Sequence, residues 1–131
     1  MDHLLSDTEH KYQCTHFMFT NGDNFYVPDL WRLLAENLPK HELVAWNFLS
    51  HYRNEVKKVR LQRYQIDLGA FVVLGKVIER TEARFLKQGK SISEMNETEL
   101  HSADASFILA LRKGLRKRQI YLSRQTLFVH N

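Results

Sequence analysis

One cysteine, Cys14, in 131 residues leaves no partner for an internal disulfide. That excludes the paired-cysteine framework of a small secreted domain and points to a reducing, cytoplasmic home. With two prolines, Pro28 and Pro39, and five glycines, the chain has no Pro/Gly-rich linker. It also lacks repeats and low-complexity tracts, so residues 1–131 are expected to form one domain, with 1–12 frayed. The longest strongly apolar run, Ala70 to Leu74, is five residues, against the ~20 that a membrane-crossing helix needs. The first residues have neither a basic start nor a long apolar stretch, so no secretory signal and no membrane association are expected.

Catalytic and metal motifs are equally sparse. No nucleophile turn marks a Ser-His-Asp or Cys-His arrangement, and Gly69 and Gly75 lack the Gly-Lys-Ser/Thr ending of a phosphate loop. Glu79 and Glu82 have Arg80 and Arg84 close by, which favours surface ion pairs over acid–base work. A non-enzymatic role is therefore expected. His10, Cys14 and His16 are ligand types for zinc or copper, but their spacing matches no paired-ligand motif and there is no second thiolate. The other histidines form no His-x-x-x-His pair, so neither a metal nor a cofactor is expected.

What the chain does have is charge in blocks. Residues 1–52 hold three Lys/Arg against seven Asp/Glu, and 53–90 hold ten against four; 91–104 hold none against four, and 105–131 six against none. Such alternation lets segments pair across the fold, or leaves basic surface for an anionic partner.

With 44% hydrophobic residues there is ample material for a core. The pattern predicts a mainly α domain of about four helices with a small N-terminal β-hairpin. Asn21-Gly22 between strand-favouring flanks suggests the hairpin, an irregular aromatic segment being the alternative. A short helix is expected between Pro28 and Pro39. A second runs from about Lys40 to residues 60–63, because Ala45, Leu49, Tyr52, Val56 and Val59 recur at helical intervals. The third covers Leu68 to Gly89: periodicity alone does not separate a buried helix from a buried strand at Ala70–Leu74, but Leu68, Phe71, Leu74, Ile78 and Phe85 share a broad face that favours helix. Asn96 and Glu99 have capping-box spacing, so the fourth begins there and carries Leu100, Phe107, Ile108, Leu111 and Leu115 near one side, with Asp104 at odds with that side. Thr126–Val129 suits either a terminal strand joining the hairpin or a tail tucked into the core.

On this reading Arg53, Lys57, Lys58 and Arg60 leave the apolar stripe of the second helix, and Arg112, Lys113, Arg116 and Lys117 that of the fourth. Clustered cations neutralise phosphates, and guanidinium groups match phosphate oxygens in two-pronged fashion. The same residues also suit helix C-termini and wet helix faces. Two functions follow. One is a small nucleic-acid-binding or nucleic-acid-associated protein using both basic faces. The other is a non-enzymatic protein-interaction or homo-oligomer module whose contact surface surrounds Trp46. The aromatic N-terminal quarter (Tyr12, Phe17, Phe19, Phe25, Tyr26, Trp31) is expected to be core.

Overall fold

The computed structural model describes residues 14–20, 22–50, 53–63, 65–86 and 90–130. It is a mixed α/β fold, with a curled six-stranded sheet and four helices among the described residues, and this replaces the mainly α expectation. The strands are β1 (His16–Met18), β2 (Phe25–Tyr26), β3 (Leu43–Ser50), β4 (Glu55–Lys57), β5 (Phe71–Leu74) and β6 (Ile120–His130). The helices are α1 (Asp29–Asn37), α2 (Gly75–Thr81), α3 (Glu97–His101) and α4 (Ala103–Lys113).

The central strand is β3, the segment read from sequence as the second helix. Side chains alternate across a strand, and here both faces are covered, so the polar/apolar alternation that identifies a strand is missing. Leu43 and Ala45 enter the larger core with Val73, Val77, Phe107 and Leu111. Val44, Trp46 and Phe48 enter the second core with Leu30, Leu33 and Leu34 of α1. The supposed helical seam does not exist: Leu49 is half-buried and Val56 is 54% exposed. Tyr52 lies outside the described residues.

One edge of β3 pairs in parallel with β6 along its whole length. The other edge is shared, antiparallel, by β5 opposite Leu43–Ala45 and by β4 opposite Phe48–Ser50. The path across the sheet is β1-β5-β3-β6-β2. The predicted N-terminal hairpin is therefore absent: β1 and β2 pair with β5 and β6 at opposite margins. Asn21 lies outside the described residues. The C-terminal strand alternative is the one realised, and β6 does pair with β2.

The helix between Pro28 and Pro39 is present, with Pro28 at the cap and Asp29 bonded to Arg32 at 3.0 Å. The expected third helix divides into a 3-10 turn at Leu68–Ala70, the strand β5 and the short α2; its expected end at Gly89 lies outside the described residues. In the fourth, the capping box forms: Glu99 N–H donates to Asn96 Oδ1 at 2.9 Å and Asn96 N–H to Glu99 Oε2 at 3.2 Å. Ser102 separates α3 from α4, and Asp104 points away from the buried Phe107, Ile108 and Leu111 and is exposed.

Two charged links join the blocks. Arg80 donates to both carboxylate oxygens of Glu42 and to the Gly114 carbonyl at 2.9 Å. Those bonds hold the Glu42 carboxyl below its usual range. Lys90 reaches Glu99 at 3.0 Å. The aromatic quarter divides. Phe19 meets Phe85 and Phe107 edge-on, and Tyr26 stacks on Phe128 at 5.0 Å, whereas Phe25 and Trp31 are 75% and 64% exposed.

Candidate nucleic-acid interface

After β4 burial alternates along the chain. Val59 and Leu61 turn inward, while Lys58, Arg60 and Gln62 face solvent. The cations are exposed as the sequence suggested, but through a period of two, not the helical period used to place them. This segment is held from both sides. Asn47, buried on β3, accepts the Val59 N–H at 2.9 Å. Beyond it, Arg60 N–H donates to Gln65 O at 3.1 Å, and Gln65 N–H returns to Gln62 O at 3.1 Å. Arg60 thus projects from a loop whose backbone bonds are made internally.

The second cation group comes from the end of α4. Gly114 terminates the helix, Leu115 is buried, and a 3-10 turn at Lys117–Gln119 leads into β6. Arg112 donates to Leu115 O at 3.3 Å. This turn brings the helix end against the 60–62 segment. Between them opens a cleft of about 490 Å³ lined by Arg60, Leu61, Gln62, Arg112, Lys117, Ile120 and Leu122. Its floor is aliphatic, its rim carries three cations, and no carboxylate lines it.

Of the eight cations selected from sequence, Arg60, Arg112 and Lys117 meet in this cleft. Lys58 and Arg116 are exposed and adjoin these in the chain. Arg53 and Lys57 instead flank Glu55, Lys57 in direct contact and Arg53 at 4.0 Å, so part of their charge is neutralised locally. Lys113 lines a different hollow with Arg80, Thr81 and Gly114. Sequence reasoning missed Leu61, Gln62, Ile120 and Leu122. The Lys58–Gln62 alternation was the available signal for the first two.

None of the six Lys/Arg of residues 105–131 forms an ion pair with a described carboxylate. Among the described residues, that block makes no ion pair with the acidic N-terminal part. A concavity bearing one sign of charge beside low-dielectric walls concentrates anions.

Two other sites considered from sequence look different in the fold. Trp46 is fully buried, so it cannot centre a contact surface. His10 lies outside the described residues; Cys14 is a half-buried free thiol, and burial lowers the His16 imidazole below its ordinary value. Among the described residues no group of three or more metal-ligating side chains comes together. No described helix is long and apolar enough to cross a membrane. No protein-family model matches the sequence, and no curated protein matches it either. The chemistry of the cleft rests on its own residues.

Proposed function

We propose that the protein binds nucleic acid through the cleft of Arg60, Arg112 and Lys117. The observation that carries this reading is the convergence of cations from residues 60, 112 and 117 on one hollow with no acid in its lining. That no Lys/Arg of residues 105–131 pairs with a described carboxylate supports it. Lys58 and Arg116 extend the basic rim along the chain, while Arg53, Lys57 and Lys113 contribute less, being placed around Glu55 or in another hollow.

A salt titration of binding tests the reading, because each neutralised phosphate releases condensed counterions. The log–log slope should be about −0.9 per phosphate on duplex DNA and about −0.7 on a single strand. Replacing Arg60, Arg112 and Lys117 together by Gln should lower both affinity and slope while the circular-dichroism spectrum stays unchanged. If the wild-type protein binds neither DNA nor RNA at low salt, the reading is wrong. A protein-contact module is the second reading, now resting on exposed Phe25, Val27 and Trp31 in place of Trp46. It predicts no such slope.

A further inference from the structure

We infer that the cleft takes unstacked nucleotides of a single strand and not a duplex, an inference that rests on the nucleic-acid reading above. The first argument is shape. Reaching the bases of an intact duplex requires an element that protrudes into a groove, a helix or a two-stranded ribbon. Here the cations rim a hollow, and the end of α4 and the 60–62 segment are its walls. Its volume, about 490 Å³, lies in the ~300–1,000 Å³ range that encloses a small-molecule-sized group. One nucleotide is such a group; a stacked base pair inside a rod cannot enter.

The second argument is the floor. Leu122 is 43% exposed, and it lies on the same lining as the three cations. A leucine adds nothing to phosphate neutralisation. It does offer an apolar contact to the face of a base that has left its stack, with half-buried Ile120 beside it. Phosphates on the rim and a base on the floor is the division of labour of single-strand sites, in which a basic groove tracks the backbone and side-chain faces, usually aromatic, receive the bases; here that face is aliphatic.

Fluorescence anisotropy at one low salt concentration separates the possibilities, using labelled single strands of DNA and RNA of about 12 nucleotides, within single-domain site sizes, and duplexes of equal length. A single strand should bind about tenfold or more tighter than its duplex. Leu122→Ala should weaken single-strand binding about fivefold through lost apolar contact without altering the salt slope. Arg60→Gln should shift that slope by about 0.7. Because Leu122 is partly exposed, its variant is expected to fold, and a melting curve verifies this. Equal affinity for strand and duplex, or no effect of Leu122→Ala, overturns the inference but leaves the nucleic-acid reading intact. Displacement of the strand by equimolar thymidine or uridine monophosphate also overturns it, marking a small-ligand site. Failure of every strand and duplex to bind removes the underlying reading itself.

Discussion

The Asn47 side chain donates to the carbonyl of Arg124 at 2.8 Å, binding the middle of β3 to the irregular stretch of β6. Between Ala45 and Asn47 on β3, the partner strand advances from Leu122 to Thr126, and from Asn47 to Phe48 it advances from Thr126 to Phe128. The extra residues on β6 form a bulge, and Asn47 supplies the hydrogen bond that the interrupted ladder leaves unmade. Its oxygen meanwhile holds the start of the Arg60 segment.

Asn47→Ala should therefore lower stability by about 1–3 kcal/mol, the usual cost of stranding buried polar groups. It should also weaken nucleic-acid binding, although Asn47 is not part of the cleft lining. Denaturant unfolding and a binding titration on the same variant check both. Unchanged binding with reduced stability would mean that Arg60 is positioned without Asn47.

Trp46 sits between α1 and the sheet, fully buried, and its indole N–H has no acceptor among the described residues. Trp46→Ala should cost about 3–5 kcal/mol. Trp46→Phe should cost much less, because it removes an N–H that gains nothing from burial. Thermal melts of the two variants give the comparison, and sedimentation should find neither altered in self-association.

The sequence made the ends of elements more legible than their type. Pro28 with Asp29, and Asn96 with Glu99, start helices where they should, because caps are local chemistry. The type of the 43–57 segment was hidden for two reasons. Both faces of β3 are apolar, and Ala45, Leu49 and Val56 fall at helical intervals by coincidence. The strand competence of this segment depends on β6, far along the chain, which no local window sees. Within the cleft, the cations were legible as exposed charges. Their meeting was not, because it depends on a helix end and a turned loop brought together by the tertiary fold.

Gly114 closes α4 against Thr81 of α2, and a methyl group there would collide with Thr81 Cγ2. Gly114→Ala should destabilise by about 1–3 kcal/mol through overpacking. Adding Thr81→Ser removes that methyl while retaining a hydroxyl able to donate to Val77 O, as Thr81 does at 2.7 Å. The double variant should then recover most of the loss, a coupling that a double-mutant cycle measures. Simple additivity would show that the contact relaxes elsewhere.

The Glu42–Arg80 contact sets an acid dependence. The folded carboxyl titrates below its ordinary 4.5 because Arg80 favours the charged form, so its stabilisation is present above that pH and fades as pH falls through the lower folded value. Glu42→Gln should reduce stability by up to about 1 kcal/mol near neutral pH, given a partly exposed pair. The gap between variant and wild type should close as pH falls through the lowered folded value of the Glu42 carboxyl. A constant gap across the titration would assign the effect to the Gln119 hydrogen bond instead.

The parallel pairing of β3 with β6 also sets a timetable. Some 70 residues separate the end of one strand from the start of the other. At about 5–20 residues per second, a ribosome takes several seconds to make them. During that interval Leu43–Phe48 is an apolar strand with one long edge unclaimed, which is the condition for pairing with a neighbouring nascent chain. Faster cooling during expression, slower translation of residues 51–119 or a missing β6 should therefore act on yield and inclusion-body formation before they act on anything the folded protein does.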